Sequence, residues 1–344
     1  MHAVVFESPG KPLAIRQLAD PYPAPAELVL RVRACGVCGS DLHLSQPEGL
    51  FGRPTPSGTV MGHEFMGEVV AIGAGVDGWH LGDRAVPMPV FACGMCRPCA
   101  AGRPLDCRQA GFIGLGGAPG GFAEYATVPA RLSFRVPDTL PDPIAALAEP
   151  LAVALHAIRL ANLTPDDTVL IVGAGPVGLA VALLCRHSGA AHLVVSDIVP
   201  QRAARGLLLG ADAWIDAGTE DTRTRMRAAC GRGPSLVFDA AGGPLGVQRC
   251  IDFAAAGGRV VVVAVHAQPS PVATGSAFLK ELTLIFARAY TVPEFREVLA
   301  LLATGAIDPA PMITQTVGFD DFPAAFQALA TPGGQCKLLL DPSA

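Results

Sequence analysis

The chain has 344 residues, of which 51% are apolar, 16% charged and 6% aromatic, and its net charge is −5. Such a length exceeds what one hydrophobic core usually supports, so two lobes are expected, and so apolar a composition excludes disorder. The acidic balance leaves no basic footprint for nucleic acid. The opening MHAVVFESPGK has neither the basic start nor the apolar run of a secretory leader. A cytoplasmic protein is expected, whose ten cysteines need an explanation other than a disulfide framework.

Two textures follow one another along the chain. Up to about residue 150, short strand-like runs are broken by Gly, Pro and Cys, as in Glu27–Ala34, Glu68–Ile72 and Phe122–Val128. This spacing predicts an antiparallel, barrel-like unit rather than helices. From about 151 to 288, strands alternate with helices. The run 169–173 leads into a helix that Gly189 stops, 193–197 precedes a helix over 201–210, and 236–240 and 259–265 read as further strands. Continuous apolar strands between helices predict a parallel sheet covered on both faces, an α/β doubly wound lobe. The tail carries helical patterns over 294–305 and 322–330 and is expected to return to one of the lobes.

A mean hydropathy of +0.42 raises the question of a membrane span. The uncharged stretch Val169–Cys185 has only 17 residues and is broken by GAGPVG. A strand, a glycine turn and a helix explain it better than a bilayer, which needs about 20 apolar residues.

The pattern G-x-G-x-x-G occurs twice. In GAGVDG (Gly73, Gly75, Gly78) no helix follows, and the segment reads as a loop between strands. In VLIVGAGPVGLAVALL, a strand precedes Gly173, Gly175 and Gly178, and a helix opening on Pro176 and Val177 follows. There the glycines permit the tight turn, the close approach of a pyrophosphate and the packing of helix on strand, while the helix N-terminus offers free N–H groups to phosphate. Asp197, nineteen residues beyond Gly178, ends the next strand. Its carboxylate would accept from the ribose hydroxyls and repel a 2′-phosphate, which selects NAD over NADP. Arg202, placed with the cofactor-binding residues, and Arg205 lie close enough in sequence to oppose that preference.

Cys93, Cys96, Cys99 and Cys107 fall within fifteen residues among polar turns. In a reducing compartment that spacing predicts a closed tetrahedral Cys₄ zinc, structural rather than catalytic. Cys35, Cys185, Cys230, Cys250 and Cys336 read as ordinary small residues, and His156 as a core or helix-packing residue. Phe51, Phe91, Phe112, Phe286 and Tyr290 read more readily as core than as pocket lining. Cys38, after an alternating strand, and His63 and Glu64 in VMGHEF are each ambiguous alone.

GVCGSDLH, GHEFMGEVVAIG, the cysteine quartet, AEPLAVALH and VLIVGAGPVGLA, in that order, resemble the zinc-dependent medium-chain dehydrogenase/reductase family, and most closely its sorbitol, butanediol and threonine dehydrogenase branch. The resemblance spans nearly the whole chain. It implies a GroES-like, β-barrel-type catalytic domain over 1–150, a Rossmann domain over 151–288 and a C-terminal segment, 289–344, returning to the catalytic domain. It further implies NAD, two zinc ions per chain and a homotetramer, with a dimer as the alternative, while charge and hydropathy already argue against a nucleic-acid or membrane partner.

The resemblance also implies that Cys38 and His63 ligate a catalytic zinc. Glu64 and Glu149 are the acidic candidates beside them, Glu149 standing where a second thiolate occurs in other branches. Ser40 and His43 resemble the family's proton relay, and Asp41 reads as a helix cap. The implied reaction is reversible oxidation of a secondary alcohol, diol or polyol to the ketone, with hydride passing to nicotinamide C4. Oxidation of an amino alcohol such as threonine, or a zinc-free quinone or enoyl reductase on the same fold, are the competing readings.

Overall fold

The structure, a computed structural model, describes all residues except 231, 232 and 267 and the side chain of Cys230. The first lobe opens with strands β1 (His2–Phe6) and β2 (Ala14–Gln17), followed by the long β3 (Glu27–Gly36) and the short helix α1 (Gly39–Leu44). Next come β4 (Thr59–Val60), β5 (Glu64–Ile72), β6 (Arg84–Pro87), β7 (Val90–Phe91), helix α2 (Arg97–Ala100), β8 (Gly111–Phe112), β9 (Tyr125–Pro129) and β10 (Ser133–Arg135). β3 pairs antiparallel with β5 on one side and with β9 over its first half, and is buried at most of its positions. β5 begins at Glu64 rather than within EVVAI, so His63 and Glu64 sit at the mouth of the sheet. The strand expected over 122–128 instead runs Tyr125–Pro129.

Two helices, α3 (Asp142–Ala146) and α4 (Ala148–Leu160), then lead to the second lobe. They fall where the sequence texture suggested strands would give way, and α4 buries almost its whole length. There β11 (Thr168–Val172), helix α5 (Pro176–His187), β12 (His192–Asp197), α6 (Ala203–Leu208), β13 (Ala213–Asp216), α7 (Thr222–Cys230), β14 (Leu236–Asp239), α8 (Gly246–Phe253), β15 (Arg259–Val262), α9 (Thr274–Leu279) and β16 (Thr283–Phe286) alternate as expected. The six strands form a parallel sheet in the order β13-β12-β11-β14-β15-β16, a doubly wound arrangement whose direction reverses between β11 and β14. Pro176 opens α5 and Gly189, at φ +84°, follows its end. The uncharged stretch at 169–185 is therefore β11, a turn and most of α5. Among the described residues no helix is long and apolar enough to cross a membrane.

The tail adds α10 (Val292–Ala303), β17 (Ile313–Val317), α11 (Phe322–Ala328) and β18 (Lys337–Leu340). β18 pairs antiparallel with the end of β3 and parallel with β17, so the last strands complete the sheet of the first lobe. Phe322, Phe326, Leu338 and Leu340 of this tail are buried in the same apolar core as Leu28, Leu30 and Phe65.

Candidate dinucleotide and metal sites

The second glycine motif has the local structure its sequence requires. Gly173 turns at φ +102°, and a Cβ there would come within 2.7 Å of the Ala241 backbone nitrogen. A Cβ on Gly178 would sit 1.9 Å from the Gly173 carbonyl, so the first turn of α5 packs only if that residue is bare. Gly175 caps α5 and faces open space, which leaves the helix N-terminus accessible. The first motif, by contrast, is a loop in which Gly75 and Gly78 both take positive φ and no helix follows.

Asp197 ends β12 beside this turn, nearly buried, accepting from the backbone N–H of Ala174 at 2.6 Å and of Val199 at 2.8 Å. Arg202 donates to Asp197 Oδ2 at 3.1 Å and to the Gly333 carbonyl at 2.9 Å. Arg205 donates to the carbonyls of Pro311 and Gly334, each at 2.9 Å. Both guanidinium groups are thus engaged by the chain itself.

The quartet cysteines converge. Their sulfurs lie 3.4 Å (Cys96–Cys99), 3.6 Å (Cys93–Cys107) and 3.9 Å (Cys93–Cys99) apart. Tetrahedral thiolates about 2.3 Å from zinc would stand about 3.8 Å apart, whereas a disulfide requires about 2.05 Å. Backbone N–H groups of Met95 and Cys96 lower the Cys93 thiol to about 6, favouring the thiolate that a metal needs. The donor set fits a structural zinc.

The second convergence is Cys38, His63 and Glu64, whose ligand atoms lie within 4.8 Å of one another. Cys38 is itself the N-cap of α1, and its backbone N–H bonds the side chain of Asp41 at 2.8 Å, so Asp41 closes a capping box rather than forming the cap. Asp41 is fully buried and its other oxygen stands 3.5 Å from His63 Nδ1, an orienting partner that the cap reading overlooked. Burial disfavours charge on His63, yet the Asp41 carboxylate and the Cys38 sulfur raise its pKa well above the ordinary imidazole value. A buried imidazole beside a carboxylate and a cysteine sulfur marks a pocket rich in electron-pair donors, as a site for a divalent metal is. Ser40 Oγ lies 3.3 Å from His63 Nε2, and His43 is half-buried one turn further along α1.

The two acidic candidates separate. Glu64 belongs to the cluster, and both its oxygens are bound by Lys337 Nζ at 2.6 and 2.5 Å. Lys337 is only 1% exposed, and it also donates to the Val37 carbonyl. The sequence reading missed it. A lysine inside the apolar run CKLLL was the available signal, because buried lysines are nearly always paired. Glu149 stands outside the cluster at the start of α4, where burial raises its carboxyl to about 7 against the pull of His63, and the hydroxyl of Tyr290 faces it.

His156 packs helices together, with Nδ1 3.0 Å from both Glu294 oxygens. Phe51 and Phe286 are exposed rather than core. Of the unassigned cysteines, Cys35, Cys185, Cys250 and Cys336 are buried, and the side chain of Cys230 lies outside the described residues. A cavity of about 160 Å³ lies between Cys38 and the start of α5, running from Cys38 and Gly39 past Pro176 and Arg202 to Gly333 and Gln335.

A glycine turn at the reversal of a parallel sheet, opening toward a Cys/His/Glu cluster, defines a metal-assisted, dinucleotide-dependent oxidoreductase. Residues 24–138 match the alcohol dehydrogenase GroES-like domain, and residues 176–304 match the zinc-binding dehydrogenase domain. The chain is 32% identical to (R,R)-butanediol dehydrogenase of Bacillus subtilis over 97% of both chains. It is also 32% identical to L-threonine 3-dehydrogenase of Pectobacterium atrosepticum over 92% of this chain and 87% of that one. The alcohol dehydrogenase rspB of Escherichia coli CFT073, solved with NADH, superposes with a TM-score of 0.89 at 31% identity over 99% of both chains. The chain belongs to the zinc-dependent medium-chain dehydrogenase/reductase family, and its cofactors are zinc and a nicotinamide dinucleotide.

Proposed function

We propose that this protein oxidises a secondary alcohol, diol or polyol to the ketone, reversibly, with NAD as hydride acceptor. The observation that carries the reading is the Cys38–His63–Glu64 cluster, whose Cys38 lines the cavity that Pro176 at the α5 N-terminus also lines. Zinc held by Cys38 and His63 would supply the positive charge that lets an alcohol ionise near neutral pH, and the nicotinamide would accept the hydride.

The chain's own groups do the rest. Asp41 sets a carboxylate beside His63 Nδ1, where it acts on the ring by charge. Ser40, within reach of His63 Nε2, takes the substrate proton, and His43 passes it outward. Lys337 restrains Glu64 beside the metal position. Glu149, kept partly protonated at neutral pH, faces the site as a donor or acceptor for a substrate hydroxyl. Gly173, Gly175, Pro176, Val177 and Gly178 cradle the pyrophosphate, and Asp197 receives the adenosine ribose. Because Arg202 and Arg205 are both spent on internal partners, neither is free to attract a 2′-phosphate, which supports NAD over NADP. Cys93, Cys96, Cys99 and Cys107 hold the structural zinc.

In the same reading, residues 1–150 with the returning segment 289–344 form the catalytic domain, and 151–288 the Rossmann domain. The return of β18 to β3 supports that division. A homotetramer is part of the proposal. Phe278, Leu279 and Phe286 are 80%, 82% and 71% exposed along α9 and the edge strand β16, an apolar margin suited to a second copy. The free thiols suit the cytoplasm. A threonine-type amino alcohol is the second substrate reading, favoured by the likeness to the Pectobacterium enzyme.

The test is reduction of NAD followed at 340 nm with cyclic and acyclic secondary alcohols, vicinal diols, polyols and threonine. Turnover with one of these classes is expected, and Cys38→Ala should abolish it while NADH still binds. Normal turnover in Cys38→Ala, or no turnover with any class by protein carrying its zinc, would overturn the reading.

A further inference from the structure

Three pieces of chain wall the cavity between the lobes: the start of α1 with Cys38 and Gly39, the start of α5 with Pro176, and the turn Thr331–Cys336 of the tail. The first two are anchored within sheets and helices. The third is a glycine-containing turn between α11 and β18, whose backbone must be held by something else. Its two ends are tied within the tail, the Thr331 N–H to the Ala328 carbonyl and the Cys336 N–H to Thr314 Oγ1, but the carbonyls of Gly333 and Gly334 between them are held from the other lobe. Arg202, in the short turn before α6, reaches the Gly333 carbonyl. Arg205, one turn further on, donates Nη1 to the Gly334 carbonyl and Nε to the Pro311 carbonyl, just before β17. Gly334 approaches so closely that a Cβ on it would stand 3.2 Å from the Cβ of Gln201.

One guanidinium therefore spans the entry points of both tail strands. Charge-assisted bonds to carbonyls are among the stronger hydrogen bonds, and a planar fork loses little entropy in making two of them. Arg202 is the more exposed to consequence, since it divides itself between Gly333 and the ribose-binding carboxylate of Asp197. If the turn moves, Arg202 must lose one partner or follow it.

We propose that Arg205 is a positioning residue for the dinucleotide. By fixing Gly334 and Pro311 it sets the third wall of the crevice and keeps Arg202 stretched between Gly333 and Asp197. It touches neither cofactor nor metal and acts through Arg202. The inference rests on the dinucleotide reading above.

The test is NADH and NADPH affinity, from nucleotide fluorescence, of the full-length zinc-loaded wild type and of Arg205→Met, Arg202→Met and the double variant. Arg205→Met is expected to raise the NADH Kd about tenfold, and Arg205→Lys, which keeps the charge and one bond, about threefold. Because Arg205 acts through Arg202, the double variant should bind no more weakly than Arg202→Met alone. An unchanged NADH Kd in Arg205→Met, or losses that multiply in the double variant, would overturn the proposal. So would a loss confined to NADPH, which would make Arg205 a phosphate receptor instead. Should Arg205→Met not fold, Arg205→Lys decides, and an NADH Kd equal to wild type counts against the proposal. A wild type that binds no NADH would instead overturn the dinucleotide reading itself.

Discussion

Lys337 and Glu64 are charges taken wholly out of water, and such pairs are conspicuous less for what they add than for what either costs alone. Burial disfavours the ammonium, yet the Glu64 carboxylate beside it raises the Lys337 pKa above its ordinary value. Lys337→Met should destabilise the zinc-free protein by about 3–5 kcal/mol, the usual cost of orphaning a buried charge. Adding Glu64→Gln should restore part of that loss, and urea denaturation of the two variants measures both effects. A single variant within about 1 kcal/mol of wild type would show that Glu64 finds another partner. The lysine within CKLLL signals a buried, paired charge in advance, but not which partner it takes. Cys38, His63 and Glu64 could be picked out because short motifs carry them, but Lys337 is 273 residues from its partner and no local spacing links the two. Asp41 was visible as a capping residue. Its second contact, to His63, needed the fold that brings β5 beside α1.

At the scale of elements, helix α10 shows how one side chain can serve two structures. Thr291 caps it and Glu294 closes the capping box, while the same carboxylate receives His156 from α4. Burial opposes a charge on Glu294, but the bonds from His156 and Thr291 prevail and hold its carboxyl below the usual range. A carboxyl with a depressed folded pKa stabilises the protein above its unfolded value, about pH 4.3, and that contribution vanishes as pH falls through the folded value. Glu294→Gln should therefore be less stable than wild type at pH 7, and the two should converge below about pH 4. Urea midpoints across that range provide the measurement, and parallel curves would exclude the role. The periodicity of this helix was readable, although its start at Val292 lies two residues before the expected one. Helix α4 was hidden because Ala-rich, continuously buried sequence shows neither period clearly. The strand expected over 259–265 ends at Val262, beyond which the N–H groups of Val263 and Ala264 both turn to the Asp239 carbonyl.

Across the whole molecule, the two lobes, the parallel sheet and the cysteine loop follow from length, strand–helix alternation and spacing. The partner strands of the tail do not, because KLLL fits the edge of either sheet equally well. The cysteine loop is tied to the tail where the Val292 N–H meets the Gly102 carbonyl and Arg288 pairs with Asp106, so its order bears on more than itself. Cys99→Ser should leave one metal per chain instead of two and lower the thermal midpoint by several degrees. Metal analysis and a melting scan test this, and a variant that keeps both metals would remove the quartet assignment.

The position of β18 has a consequence for the order in which the protein can be completed. β3 and β5, with His63 and Glu64, leave the ribosome before the dinucleotide lobe, but the strand that covers the end of β3 and brings the neutralising ammonium follows that lobe. Until then the nascent sheet has an unpaired edge, and its innermost carboxylate has no counter-charge. The metal cluster is coded before the dinucleotide lobe and finished after it, so a ribosome stalled just ahead of β18 would carry a chain with a dinucleotide lobe already formed and a catalytic lobe still open.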